Sequence, residues 1–527
     1  MRVWMVEIAL VLLLLSAACQ PVPPPVALTA TPTVIQTSIP PLQPTPTSQP
    51  AGSSPDALKA CDLSLQASAL RSSTVPDWST LGIDTCYTLT FDLTSGGPDY
   101  SGSARISFTN PGSTALDDLV LRTYPNAPLL YGGQLDVTTA QVNGIDLPVN
   151  VFLADRTAVR LPLDQPLEPG ETLALDLKFS GKLPIDFGSD QVYGTFNFAG
   201  NGPVMLMANA YPLLALLEDG EWGADPVLPE GDAVFSRIAL YRVEVRVPAA
   251  WQVVSSGREV SRTGSGDRAV IQIAGGPLRE FMLAASPAFE LERTLWEDIT
   301  INHWGQPESE SSRAEVMQAA VEALSLFSQT FGPLPYNELD IIAAPLNNAS
   351  GVEYPGLILV GESLYNSRSL PHILPMVTAH EIAHQWWYAV VGNDVLQHPW
   401  LDESLATYSA QLYLLNHDPV FYRGALREFR KQVTDLEAEI GVQPLDQSVA
   451  DLSNLERAYA IVAYLKGNLF FEALREEIGA TEFNAALQAY YRENSYQIAS
   501  PADLLESFEF ACTCDLNELF SEWGVQP

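Results

Sequence analysis

In the stretch TAHEIAHQWW, residues 378–387, two histidines stand four positions apart with a glutamate beside the first. On a helix His380 and His384 lie one turn apart on one face, so both imidazoles can reach a single ion. Glu381 sits beside them and can act near the fourth coordination position without ligating. A catalytic zinc needs a third protein ligand and leaves its fourth position to water. Glu403, in WLDES (400–404), can supply that ligand if a second helix beginning near Asp402 presents it back across a loop. Two helix histidines and an unrelated acid would spell the same letters. Export of the chain, which gives access to zinc, weighs against that plainer reading. So does the crowding of three of the six histidines between Pro375 and Pro399.

The elements around these residues fall into a clear order. Beyond Pro371 nearly every segment has helical periodicity: 375–390, 402–416, 455–478, 481–493 and 501–509, with LNELFSEW closing the chain. Upstream, SSRAEVMQAAVEALSLFSQTFG predicts a helix ending at Gly332, and LDIIAAPL and GLILVG predict strands. From about Tyr87 to Phe289 the pattern changes to short alternating runs such as YTLTFDL, ARISFTN, ETLALDLKF and LYRVEVRVP, broken by Gly, Pro and Asp. That texture predicts an all-β domain, sandwich-like or saddle-shaped. The expected fold class is multidomain α+β, with a β domain over 61–290 and a mixed, then helical, domain over 291–527. A chain of 527 residues is in any case too long for one hydrophobic core.

The first nineteen residues, MRVWMVEIALVLLLLSAAC, have a basic start, a short apolar run and small residues before Cys19. The run is too short to span a bilayer with its flanks. LSAAC resembles a bacterial lipobox, although Ser16 stands three before the cysteine where leucine is usual; ordinary cleavage nearby is the alternative. Residues 20–60, rich in Pro, Thr, Ser and Gln, cannot bury a core and form an extended tether. The expected setting is an exported lipoprotein on the outer face of the cytoplasmic membrane or at the cell surface, touching the membrane only through a lipid on Cys19. The formal charge of -36, from 63 acids against 27 bases, excludes a nucleic-acid partner. Oligomeric state is not legible. Cys61, Cys86, Cys512 and Cys514 suit disulfides in an exported chain, with three connectivities open and strain expected if Cys512 joined Cys514.

Taken with GVEYPG (351–356), VGN (391–393), YLKG (464–467) and FGPLPY (331–336), the two central motifs resemble the aminopeptidase N family of gluzincin metallopeptidases, which includes leukotriene hydrolases. The motifs stand in the family's order and spacing, and the resemblance covers roughly residues 85–527. It implies a thermolysin-like catalytic domain and one Zn²⁺ per chain, held by His380, His384 and Glu403. Glu381 becomes the general base and Tyr464 the donor to the oxyanion. Lys466 receives no role. Gly351, Val352 and Glu353 belong to the segment that pairs with the substrate backbone, its glutamate capturing the free α-ammonium of a peptide. Burial as an ordinary core tyrosine and an exposed turn acid are the plainer readings of Tyr464 and Glu353.

Four departures qualify what the resemblance implies. Valine replaces methionine at 352, and tyrosine replaces asparagine at 354. Ser404 stands where glycine is usual, which should be tolerated. FAGNGPVMLMANAYP (198–212) lacks the second amine-binding Gln or Glu, leaving Asn201 or Asn209 as substitutes. The large superhelical carboxy-terminal domain of longer members is missing, so an open site is expected. The implied activity is amino-terminal trimming of extracellular peptides. An open-cleft zinc endopeptidase and a non-catalytic surface-binding lipoprotein are the alternatives.

Overall fold

The computed structural model describes residues 56–525 apart from 187–192, 200–202, 306–309, 367–371 and 456. The signal segment, Cys19, most of the tether and Asn201 lie outside the described residues. Ala57 and Leu58 are buried beside the first strands of the β domain, so residues 56–60 belong to the fold and not to the tether. No helix among the described residues is long and apolar enough to cross a membrane.

Alternation along the chain builds the β half. In β1 (Thr85–Asp92) Tyr87, Leu89 and Phe91 point inward. Strand β2 (Asp99–Thr109) pairs antiparallel with β1, and β3 (Thr172–Lys182) lies antiparallel to β2. On its other edge β1 runs parallel to β4 (Ala239–Pro248), which buries Tyr241, Val243, Val245 and Val247. Tyr87 and Tyr241 are register partners whose rings stack at 4.8 Å, a cross-strand contact that helps hold the register. Strand β5 (Arg268–Leu278) pairs antiparallel with β4 in this eight-stranded sheet. Two four-stranded sheets and a two-stranded pair, Leu217–Glu218 with Glu221–Trp222, complete the half among the described residues.

A second kind of sheet starts at β6 (Glu290–Trp296), which pairs antiparallel with β7 (Ile299–Gly305). Helix α1 (Glu310–Thr330) then returns the chain to β8 (Glu338–Ala344), parallel to β7, as a parallel pair requires. The hairpin of β9 (Gly351–Tyr354) and β10 (Leu357–Gly361) adds β10 parallel to β8 and leaves β9 at the edge.

The helices follow: α2 (Ile373–Ala383), α3 (Trp400–His417), α4 (Pro419–Ile440), a π-helical segment Ala460–Lys466, α5 (Gly467–Ile478), α6 (Ala480–Asn494), α7 (Pro501–Cys512) and α8 (Asn517–Trp523). Three expectations need correction. The helix expected over 375–390 stops at Ala383 because the next residues are drawn into the core. Trp386 and Trp387 are fully buried against Phe331, and their indole N–H groups donate to Gly332 O and Ser409 Oγ. Helix α4 falls in a stretch where no helix is expected; Pro419 is its first residue, behind an Asp418 cap that accepts from the Val420 and Phe421 amides. The helix expected over 455–478 is π-helical before it becomes α.

Two disulfides join Cys61 to Cys86 and Cys512 to Cys514. The close pair is reachable because Thr513 takes a left-handed conformation (φ 54°) at the end of α7, bringing the two Cα atoms to 5.2 Å.

One buried cation latches the halves together. Arg279, just after β5 and 3% exposed, donates to Tyr388 O (2.6 Å), Val390 O (3.1 Å) and Gln497 O (2.6 Å) of the helical half, and to Ser236 O (3.2 Å) of its own. Replacing it strands these carbonyls in the interior. Arg279→Met should therefore lower unfolding stability by on the order of 3 kcal/mol. Urea denaturation reads this directly, and an unchanged midpoint would show that the latch contributes nothing.

Candidate metal centre and active-site cleft

Helices α2 and α3 pack against each other and bring three side chains to one point. His380 Nε2 and His384 Nε2 lie 3.2 Å apart, and Glu403 Oε2 is 3.3 Å from the first and 3.5 Å from the second. Their donor atoms form a candidate metal cluster, with His384 and Glu403 buried and His380 nearly so. The tautomer follows from the neighbours. A carbonyl can only accept, so His384 Nδ1 must donate to Trp387 O at 3.0 Å, turning the bare Nε2 toward the cluster.

The donor set passes a test of fit. Tetrahedral zinc with bonds of about 2.1 Å holds its ligand atoms roughly 3.4 Å apart, which is the scale of this triangle. Glu403 Oε2 is buried and has no hydrogen-bond partner among the described residues, as an atom reserved for a cation would be. Two nitrogens and one carboxylate oxygen are also ligand types zinc takes.

Glu381 is buried beside the cluster, its carboxyl lying against the backbone of Gly351. A Cβ on residue 351 would overlap that carboxyl, so only glycine lets the edge strand β9 approach so closely. Gln385 holds the strand in place from the end of α2. Its Oε1 accepts from Gly356 N at 2.8 Å and its Nε2 donates to Tyr354 O at 2.9 Å. Glu353 is thereby fixed near His384, 8% exposed, which rules out the reading as an exposed turn acid. Val352 lines the adjoining recess, half-buried.

That recess contains residues the sequence did not flag. Asp232, on the loop before β4, shares a hydrogen bond with Glu353. Burial, then Glu403, pushes the Asp232 carboxyl up to about 6, and burial with Asp232 raises Glu353 well above its usual value. Two carboxyls so close cannot both ionise cheaply. Nothing in EGDAVF marks Asp232 as special. Asn209 lies in the same recess, where its amide donates to Glu280 at 2.7 Å.

Tyr464, on the π-helical segment, donates its hydroxyl to Glu403 Oε1 and stacks on the His380 ring at 5.9 Å and 13°. Burial, then Glu403, raises its pKa well above the usual value, so the hydroxyl stays a donor. Lys466 points the other way, pairing with Glu437 at 2.6 Å and donating to Gln443 O. The cluster is electronegative overall. Burial alone would raise the Glu403 carboxyl, but the two histidines beside it hold it down at about 2. Burial opposes a proton on His384, yet Glu353, Glu403 and Glu381 raise its proton affinity well above normal. The cleft around these groups encloses about 150 Å³.

Comparison with known proteins agrees with this geometry. Residues 315–523 match the family model described as the peptidase family M1 domain. The chain is 24% identical over 301 residues to aminopeptidase M1-A of Oryza sativa subsp. japonica, covering 55% of this chain and 34% of that protein. It is 22% identical over 462 residues to aminopeptidase M1-D of the same plant, covering 82% of this chain and 51% of the relative. The chain thus spans between about a third and a half of the length of these curated relatives. Among solved structures, the M1 zinc metallopeptidase from Deinococcus radiodurans superposes with a TM-score of 0.62 at 20% identity, covering 84% of this chain and 94% of that one. A mutant of that protein bound to a Tyr-Ser-Ala substrate gives 0.59 at 21% identity, covering 84% and 95%. These likenesses are of fold: a β half leading into a mixed and then helical half. The motifs, the zinc-shaped donor set and the matched segment thus fall in one region of this chain, which over residues 315–523 is similar to the peptidase family M1 domain.

Proposed function

We propose that this chain is a zinc aminopeptidase that removes the first residue of peptides outside the cell. The observation that carries the reading is the buried Glu353 carboxyl on an edge strand, set against the cluster of His380, His384 and Glu403. An acid fixed there can hold a free α-ammonium one residue from the scissile bond. Asp232 beside it adds a second acceptor from the β half, where Asn209 is already committed to Glu280. A neighbour in fold is described with a Tyr-Ser-Ala substrate, a short peptide of the kind this site would take.

His380, His384 and Glu403 would hold the ion. Zinc, when bound, polarises the scissile carbonyl and makes water nucleophilic near neutral pH. The edge of β9 lines up the substrate backbone through the exposed N–H and C=O groups around Gly351 and Val352. Glu381, braced by Gly351, takes the proton from the attacking water and passes it to the leaving amine nitrogen. Tyr464 turns its hydroxyl from Glu403 to the oxygen that gains negative charge in the tetrahedral intermediate.

We also propose that Cys19 is lipidated and that the tether holds the enzyme off the outer face of a membrane. The signal layout and the Pro/Thr/Ser-rich run after it support this.

Four outcomes are expected. Glu381→Gln lowers kcat on aminoacyl-anilides by roughly 10²- to 10⁴-fold while the protein still binds one zinc. Chelation abolishes the wild-type activity and added zinc restores it; activity that survives chelation would remove the metal mechanism. Glu353→Ala raises KM for free-amine substrates about tenfold or more and narrows their advantage over acetylated peptides. Identical kinetics in that variant would leave an endopeptidase. In a bacterial host, radiolabelled palmitate marks the wild-type chain and not Cys19→Ser; equal labelling would sink the lipid anchor.

A further inference from the structure

The cleft continues past the metal cluster, away from Glu353. Along α2, Met376 and Val377 lie one turn before His380, so Met376 is about 12 Å along the axis from His384, which faces Glu353. Along α3, Thr407, Ala410 and Gln411 lie one and two turns after Glu403. With Phe429 of α4 these residues line a recess continuous with the cleft. Since Glu353 marks the amino-terminal end of a bound peptide, the recess lies where the side chain after the scissile bond must go.

Its walls are apolar, but its floor is not. Thr407 is 5% exposed and Gln411 1%. Neither Thr407 Oγ1 nor Gln411 Oε1 has a hydrogen-bond partner among the described residues. The Gln411 amide nitrogen makes only a weak contact, 3.9 Å from Met376 Sδ. Buried helical hydroxyls normally bond back to the preceding turn, as Thr378 does to Leu374 O and Ser409 to Leu405 O. Thr407 does not. Two unpaired polar groups at the bottom of one recess are costly unless a ligand pairs them.

We propose that this recess binds the residue following the scissile bond and selects an uncharged carboxamide side chain, asparagine or glutamine. The assignment rests on the aminopeptidase reading and names its substrate class. A carboxamide brings both donors and an acceptor, so it can pair Gln411 Oε1, the Gln411 amide and the Thr407 hydroxyl together. An aliphatic side chain would seal those groups off unpaired. A carboxylate would leave Gln411 Oε1 unpaired and place a like charge in the cleft with Glu381 and Glu403.

The test compares Ala-Gln-Ala with Ala-Met-Ala, because methionine matches glutamine in length without its polar head. Wild type should favour the glutamine peptide in kcat/KM by roughly tenfold, and Thr407→Val or Gln411→Met should each erase most of that ratio. Dissociation constants measured by calorimetry on Glu381→Gln should show the same order without turnover. Equal handling of the two peptides by wild type, or a ratio that survives both substitutions, overturns the proposal. Failure to cleave any free-amine peptide would instead strike the aminopeptidase reading, and the binding measurement would still decide the recess.

Discussion

Everything in the helical half answers to one constraint: two imidazole nitrogens and a carboxylate oxygen are held 3.2–3.5 Å apart, with lone pairs converging. Such a triangle is repulsive on its own and is stable only where the surroundings favour positive charge and hold the helices rigidly. Both conditions are met. Glu353, Glu381 and Asp402 are buried nearby, and in a poorly screened interior their charges act over longer distances than in water. Rigidity comes from packing, with Trp386, Trp387 and Trp400 fully buried around the helix ends that carry the ligands. A field that draws a metal cation also draws an ammonium, so the proposed metal binding and amine recognition would share one electrostatic origin.

How much of this was legible depends on the range over which each feature is encoded. His380 and His384 follow from a local period, and the alternation in β1 and β4 makes the β half visible. Glu403 is one helix further on and could be placed because WLDES resembles a known pattern. Helix α4 has a local start signal, the Asp418 cap followed by Pro419 as first helical residue, that the periodicity reading passes over. The early end of α2 is likewise a tertiary effect, since local propensity would carry the helix on through the two tryptophans. Asp232 was beyond reach. Its importance is its contact with Glu353, and that contact exists only because the β half folds down on the cleft.

The second amine-binding acid expected from the resemblance is therefore a question of position. The residue sought near Asn209 is tied up with Glu280, which burial pushes up to about 7 and which also accepts from the Tyr388 hydroxyl. A carboxyl reaches Glu353 instead from the loop that carries Asp232. A carboxyl reaching one point in space from a different loop leaves no trace in a motif search. It is visible only as two acids too close to ionise together.

Ser404 shows the same displacement at smaller scale. It follows the ligand Glu403 where glycine is usual, and its hydroxyl donates to Ala463 O at 2.5 Å. That carbonyl immediately precedes Tyr464 and lies within the π-helical segment, whose wider hydrogen-bonding frees carbonyls for outside partners. Across from it stands Gly467, where a Cβ would overlap Ser404 Oγ. The space given up on α3 is recovered on the facing segment, and the added hydroxyl is used. Glu403 and Tyr464, the proposed ligand and the proposed oxyanion donor, are thus joined through two adjacent residues as well as through their own contact. A substitution that looks merely tolerated in the sequence becomes, in the fold, a tie between the two helices whose relative position sets the site.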